Sequence, residues 1–357
     1  MRRKSRYMST CAVFGGALLF ANDFVNQRTT CHDNGVELTL DNYDWGRGLK
    51  SSLAGATIGA GLGWVYYQYL RYEEAKFPFD PDTYLEAVLL KEHLKSDPGF
   101  LRQLLEIRDR VSAKLKSIFG DDLMENPIVA GSFRKRTAIL SGSDLDIILV
   151  FSKNACGTLE EMYEYAYDRI RAEFSEKAIV TKQRRSIGLT FDSGEDSIYV
   201  DIIPGRAIGD YPRDRRLNLY VRPEWFWQRG SSMKVNIKQQ LAITRNLPAA
   251  RKIIKLLKIY RERFAPALPS AVIEQCTVQA LSQYGWGISP SIAENLLNAM
   301  ESLARKLRQT AQWDMGNSNN NLNKKMSSWE RNAIANRLDS DLEAVDEDER
   351  YLIEIFE

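Results

Sequence analysis

Two aspartates separated by one residue, at the start of an apolar run, most constrain what this chain can fold into. Asp144 and Asp146 directly precede an apolar run, residues 147–151. Because side chains alternate between the two faces of a strand, both carboxylates would leave one face while Leu145 leaves the other. Two carboxylates held this close repel each other, and each tends to stay protonated unless a cation lies between them. The pattern therefore predicts a strand that carries a cation site.

Flanking features add a phosphate site and a third acid. Gly131-Ser132 predicts a tight turn with exposed backbone N–H groups, and the basic residues 134–136 follow it. Asp201 lies inside a second strand-like run, residues 197–204. Three acids on neighbouring strands would hold two Mg²⁺ ions, with Mn²⁺ as a substitute, beside a bound triphosphate. The alternative is a surface Asp-x-Asp on an edge strand.

This combination resembles the nucleotidyltransferase superfamily that includes DNA polymerase beta. Its spacing, with Thr137 after the basic residues, resembles the branch of oligoadenylate synthetases, cyclic GMP-AMP synthase and the bacterial CD-NTases. The resemblance implies an α+β fold, with a mixed sheet and helices in a catalytic core and a helical C-terminal lobe. It also implies site roles by position: Gly131, Ser132 and Thr137 bind nucleotide, and the metal-binding catalytic triad is Asp144, Asp146 and Asp201.

A later helix carries a candidate triphosphate ligand. Residues 247–264 have an apolar face and a separate row of cations, which is the pattern of an amphipathic helix with a solvated side. The run 255–260 also resembles the Leu-Lys-x-aromatic segment of the family, in which the lysine meets the triphosphate, and this implies that role for Lys258. Tyr260 stands where the family commonly has Trp. The segment from Pro269-Ser270 to Glu274 resembles the helix that closes the other wall of the cleft.

Composition narrows the class of protein. The 357 residues have a net charge of +2, which argues against a chain built mainly to bind nucleic acid. The four cysteines are scattered without a Cys-x-x-Cys pair, so neither a disulfide framework nor a structural zinc site is predicted.

The N-terminal part predicts a membrane hairpin. Basic residues 2–6 precede a short apolar stretch, 11–21, and residues 52–70 then contain no charge, a length that would cross a bilayer as a helix. Gly55, Gly59 and Gly63 recur every four residues, a small-residue stripe that favours helix association and a homo-oligomer. We therefore expect a multi-pass membrane protein with two spans and its catalytic part in the cytoplasm. The alternative is a buried hairpin outside the membrane.

The domain boundaries follow from these segments. We expect a two-helix membrane anchor at 1–75, a nucleotidyltransferase catalytic lobe at 76–240, a helical lobe at 241–345 and an acidic tail at 346–357. Within the catalytic lobe, Asp97-Pro98 predicts the start of a helix that runs through Phe119.

Two other segments have a distinctive composition. Residues 211–240 are rich in arginine and aromatic residues, which is typical either of an ordered loop over the sheet or of a surface that stacks bases. The asparagine-rich run 317–323 predicts a loop.

The resemblance implies a Mg²⁺-dependent nucleotidyltransferase that joins ATP- or GTP-type nucleotides into a cyclic or linear second messenger. The implied setting in bacteria is antiphage signalling. Two alternatives stay open: nucleotidyl transfer to RNA or protein, and a non-catalytic nucleotide-binding membrane adaptor. The sequence offers no strong evidence for nucleic-acid binding.

Overall fold

The computed structural model describes residues 45–76, 79–142, 144–192, 197–211, 213–225, 227–283, 288–314 and 317–357, together with residues 12–13, 16–19, 21–23 and 25–27. The chain divides into two compact units, one of residues 1–80 and 343–351, the other of residues 81–342 and 352–357. The second unit contains most of both predicted lobes, and the boundary between those lobes at 240/241 stays a prediction.

The helices follow one another along the chain with these bounds: α1 (Trp45–Lys76), α2 (Pro81–Lys91), α3 (Pro98–Phe119), α4 (Gly131–Lys135), α5 (Leu159–Phe174), α6 (Ile237–Ala242), α7 (Pro248–Phe264), α8 (Ser270–Gln283), α9 (Ile292–Leu307), α10 (Ser328–Glu347) and α11 (Tyr351–Phe356). The strands are β1 (Ile128–Val129), β2 (Asp144–Phe151), β3 (Ile179–Lys182), β4 (Ile187–Asp192), β5 (Ser197–Ala207), β6 (Arg216–Val221), β7 (Ser231–Asn236), β8 (Trp313–Asp314) and β9 (Asn317–Asn321).

A mixed seven-stranded sheet organises the second unit. Five strands lie in the order β1-β2-β5-β4-β3, and β6 and β7 extend the sheet from β5. Strand β5 runs parallel to β2 and antiparallel to β4 and β6. Because β5 pairs with three strands along its length, it fixes their register relative to one another.

Helices α3 and α5 cover one face of the sheet, and their ends are set by local capping. Asp97 accepts a hydrogen bond from the Phe100 N–H at the start of α3, with Pro98 in the first turn. Thr158 and Glu161 form a capping box at the start of α5. The apolar stripe of each helix joins one hydrophobic core cluster, with buried members such as Val111, Leu115, Tyr163 and Ile170. The predicted helix from Asp97-Pro98 to Phe119 is confirmed.

Two predictions about individual segments are wrong. The Arg- and aromatic-rich segment 211–240 contains the hairpin β6–β7 and helix α6 rather than only a loop. The asparagine-rich run contains β9, which pairs with β8. In each case packing overrode a composition that is typical of loops.

The predicted membrane hairpin is also wrong. Residues 52–70, the second predicted span, all belong to α1. In the described ranges, none of the helices combines the length with the apolar composition that a transmembrane span needs. The stretch is uncharged, but glycine, alanine, serine and tyrosine contribute much of it, and these gain little from transfer into hydrocarbon. Part of the first predicted span, 11–21, and the basic residues before it lie outside the described residues.

The glycine stripe is buried within the chain. Gly55, Gly59 and Gly63 are all buried. On the same helix, Ser52 and Ala56 approach Gly16 closely, since a Cβ added to Gly16 would lie 3.1 Å from the Ser52 carbonyl oxygen and 3.6 Å from the Ala56 Cβ. Small residues here allow close approach inside one chain, and the predicted homo-oligomer gains no support.

A buried tyrosine on α7 generates a stability prediction. The Tyr260 hydroxyl donates to Asp341 Oδ2 at 2.8 Å, and Arg337 Nε donates to both oxygens of the same carboxylate at 2.9 Å. We expect Tyr260→Phe to lower the free energy of unfolding by about 1.5–3 kcal/mol, since a buried carboxylate loses a charge-assisted hydrogen bond. Urea unfolding measures this, with Tyr199→Phe at a half-exposed tyrosine as the control. Equal losses in the two variants would contradict the assignment.

Candidate active site

The parallel pairing of β2 with β5 brings the three predicted acids to one place. Asp144 and Asp146 are two residues apart on β2, so they leave the same face, while Leu145 and Ile147 are fully buried on the other. Asp201 of β5 is the direct register partner of Asp146. One strand pair therefore brings Asp201 next to Asp146, although the two residues are far apart in the sequence.

Burial disfavours the charged forms of these acids, and repulsion from neighbouring acids of the group adds to this for Asp146 and Asp201. Burial, with contributions from Asp201 and Asp144, raises the pKa of Asp146 to about 6. Burial also raises the pKa of Asp144. The pKa of Asp201 is raised by burial and by Asp144, against hydrogen bonds from the Gln183 and Ser186 side chains that act in the lowering direction. Such a cluster gains from a cation.

The Gly131-Ser132 segment forms the first turn of α4 and packs directly on β2. The Ala130 N–H donates to the backbone oxygen of Asp146 at 2.8 Å. Gly131 has φ +57°, and a Cβ there would lie 1.6 Å from Asp146 Oδ2. Both the positive φ and the close carboxylate require glycine at this position.

Lys258 reaches the same region from α7. Its Nζ donates to the backbone oxygen of Thr137 at 3.0 Å, and the lysine is only 3% exposed. Burial lowers the pKa of Lys258 to about 8, although Glu274 and Asp146 act in the raising direction. Thr137, itself fully buried, thus holds the lysine beside the turn.

An ion pair joins the two sides of the site. Lys135 Nζ of α4 lies 2.6 Å from Glu274 Oε2 of α8, with both side chains mostly buried. Sequence reasoning found Glu274 and Lys135 separately and missed their pairing, because 139 residues separate them. It also missed Arg261, which lies one turn after Lys258 on α7; the three-residue helical spacing was the available signal.

These elements enclose a cavity of ≈ 370 Å³. Of the predicted residues it brings together Gly131, Ser132, Asp144, Asp146 and Lys258. Asp201 and Thr137 are not among its described lining residues. The other polar lining residues include Lys135, Gln240, Arg261, Ser270 and Glu274.

The predicted Mg²⁺ site consists of Asp144, Asp146 and Asp201. Among the described residues, no three His, Cys, Asp or Glu side chains are gathered closely enough to hold an ion by themselves. The donor chemistry nonetheless suits Mg²⁺, since Asp144, Asp146 and Asp201 offer only carboxylate oxygens. Mg²⁺ is usually held by one or two carboxylates together with substrate phosphates, so a site completed by a nucleotide needs fewer protein ligands.

Solved structures of bacterial CD-NTases share this fold. Escherichia coli MS115-1 CdnC with ATP has a TM-score of 0.56 at 19% identity, over 74% of this chain and 91% of that chain. CdnG of Bradyrhizobium diazoefficiens, in complex with GTP, has a TM-score of 0.58 at 14% identity, over 78% and 96%. The Elizabethkingia meningoseptica CdnE cyclic dinucleotide synthase, with GTP and Apcpp, has a TM-score of 0.50 at 14% identity, over 72% and 97%.

These similarities confirm the predicted α+β core with its mixed sheet and helices. They support the predicted resemblance to the CD-NTases at the level of the fold. No protein-family model matches the sequence, and no curated protein matches it.

Gly131→Ala tests the contact between the turn and the carboxylate. We expect the free energy of unfolding to fall by about 1–3 kcal/mol or more. The alanine would have to adopt a positive φ, and its Cβ would collide with Asp146. Gly120→Ala is the control, since a Cβ at Gly120 has nothing within 4 Å. Urea unfolding of both variants measures the difference. Equal stabilities would contradict the close contact between Gly131 and the Asp146 carboxylate.

Asp146→Asn tests the raised pKa in chelator-treated protein. A pKa raised from 3.8 to about 6 means that the folded state holds this proton more tightly, so the carboxyl destabilises the fold progressively from about pH 4 to 6. Above pH 7 the variant should be more stable than wild type, by at most about 3 kcal/mol because the side chain is not fully buried. Below pH 4 the difference should vanish.

Added Mg²⁺ should reverse that order at high pH by stabilising wild type more than Asp146→Asn. Asp121→Asn, at an exposed acid, is the control and should change little at any pH. A pH-independent difference between Asp146→Asn and wild type would contradict the assigned pKa.

Proposed function

We propose that this chain is a nucleotidyltransferase that joins nucleoside triphosphates into a cyclic or linear oligonucleotide messenger. The observation that carries the proposal is the register pairing of Asp146 with Asp201, beside a cavity that also contains the Gly131-Ser132 turn and Lys258. Carboxylates facing a phosphate-binding turn and a lysine are the arrangement that phosphoryl and nucleotidyl transfer require. The fold similarity to CdnC with ATP and to the CdnE cyclic dinucleotide synthase supports it.

The reaction forms one bond and breaks one. The 2′- or 3′-hydroxyl oxygen of one nucleotide attacks the α-phosphorus of ATP or GTP, and the bond to the bridging oxygen of the β-phosphate breaks. Pyrophosphate leaves, and the hydroxyl proton passes to a neighbouring base.

The chain's own cations and N–H groups would hold the triphosphate. Ser132 lines the cavity at the start of α4, where a phosphate can meet backbone N–H groups. Lys258 and Arg261 lie one turn apart on α7 and both line the same cavity. Their positive charge compensates the charge that develops on the leaving pyrophosphate.

Asp144, Asp146 and Asp201 would hold two Mg²⁺ ions, or Mn²⁺ in their place. When bound, these ions would neutralise the triphosphate and favour ionisation of the attacking hydroxyl. With the ions bound, the three carboxylates would orient the triphosphate, and the cations would relieve the repulsion among the carboxylates.

A second candidate function is nucleotidyl transfer to an RNA 3′ end. It is favoured by Trp225 and Trp227, which stack with ring centroids 5.4 Å apart at an interplanar angle of 6°. Both rings are more than half exposed, at 56% and 65%. Exposed aromatic rings near arginines are typical of surfaces that stack single-stranded bases.

The deciding experiment incubates the purified chain with labelled ATP and GTP in the presence of Mg²⁺. We expect small phosphatase-resistant oligonucleotides from wild type and at least a 100-fold loss in the Asp144→Ala/Asp146→Ala variant, about what removal of such electrostatic groups costs. Asp121→Asn should retain wild-type turnover. Label retained on RNA or protein would support the macromolecular alternative, and tight nucleotide binding without any turnover would support a non-catalytic binding protein.

A further inference from the structure

A second cavity, of ≈ 460 Å³, is lined in part by α4 and α7, two helices that also line the catalytic cavity. It is lined by four nitrogen-bearing side chains, His93, Lys95, Arg136 and Lys255, and by four apolar ones, Leu94, Leu101, Phe133 and Ala138. It shares no lining residue with the catalytic cavity. Its size falls within the range of small-molecule sites, roughly 300–1,000 Å³.

The charge of this cavity is uncompensated. No carboxylate is among its described lining residues. Lys95, Arg136 and Lys255 form no ion pair with any acid in the described part of the chain. Lys255 is partly buried, and its pKa is lowered by burial and by Arg251. Cations held together without an acid gain strongly from an anion.

His93 adds a directed donor. Its Nδ1 accepts a hydrogen bond from the Lys95 backbone N–H at 3.0 Å. In the neutral ring the proton must then sit on Nε2, which leaves an N–H donor on the other side of the ring. Burial, Lys255 and Lys95 all lower the pKa of His93, so the ring is neutral at physiological pH.

We propose that this cavity is a second ligand site, for a small organic phosphate such as a nucleotide. The cations and the His93 N–H would bind the phosphate groups, and the apolar wall of Leu94, Leu101 and Phe133 would cover a flat ring. A wall of this kind does not suit a bare inorganic anion. The inference goes beyond the catalytic proposal, because none of these residues belongs to the catalytic cavity.

The position of the site would connect it to the catalytic cavity. Helix α4 is followed by Arg136 and contributes Phe133 here, while it contributes Ser132 to the catalytic cavity. Helix α7 contributes Lys255 here and Lys258, one turn later, to the catalytic cavity. A ligand in the second cavity therefore touches both elements that would hold the triphosphate.

The test is calorimetric titration of the full chain with ADP in EDTA, so that no turnover occurs. A Lys258→Gln background weakens binding in the catalytic cavity. In that background, Lys255→Gln should weaken ADP binding roughly tenfold or more, the effect of losing one charge-assisted hydrogen bond. Lys252→Gln is the matched control, since Lys252 lies on the same helix, pairs with Glu86 and is outside the cavity.

A second variant guards against misfolding. Arg136→Asn removes an exposed charge at a residue with φ +60°, a conformation that asparagine tolerates, and it should weaken ADP binding to the same degree as Lys255→Gln. Thermal unfolding should show both variants folded. Undiminished ADP binding in folded Lys255→Gln and Arg136→Asn proteins would overturn the proposal.

The class of ligand is tested with fragments. Adenosine and inorganic pyrophosphate should each bind at least tenfold more weakly than ADP, because each uses only one half of the cavity. Pyrophosphate binding as tight as that of ADP would overturn the organic part of the proposal. Lys255-dependent ADP binding in a protein that makes no nucleotide product would instead overturn only the proposed catalytic function.

Discussion

The placement of three carboxylates on one parallel strand pair is the constraint on which the candidate site depends. Asp146 and Asp201 face each other across a parallel strand pair, and Asp144 is two residues away on the same face. Burial and mutual charge raise the pKa of Asp146 to about 6, so the bare arrangement costs stability at neutral pH. Carboxyl groups with raised pKa values cluster where a ligand can relieve the cost, which is the physical basis for assigning a function to this part of β2 and β5.

The surrounding elements are arranged around that cost. Residue 131 must be glycine because Asp146 Oδ2 occupies the position that a Cβ would take. Lys258 is buried and held by Thr137, although burial lowers its pKa to about 8. The Lys135–Glu274 pair ties α4 to α8 at 2.6 Å. Each of these groups is unfavourable or restricted by itself, and each would be stabilised in the proposed complex with a triphosphate and its cations.

Local sequence signals predicted the structure well, whereas amino-acid composition did not. Local signals were reliable: the Asp97-Pro98 cap fixed the start of α3, and the alternating pattern around Asp144 predicted its strand. Composition was not reliable. An uncharged stretch suggested a membrane span, but glycine and tyrosine are not a substitute for leucine and valine in hydrocarbon. The asparagine-rich run formed β9, because strand pairing with β8 overrides a weak local preference.

The sequence by itself determined the identity of the acids, the glycine turn and the candidate lysine, because residue type and spacing along one element are local properties. Only the tertiary structure decided that Asp201 lies beside Asp146, that Lys135 pairs with Glu274 and that Arg261 lines the catalytic cavity. It also decided that Lys255 and Arg136 border a second cavity. These relations join residues far apart in the chain, and they are set by strand register and helix packing, which no short stretch of sequence contains.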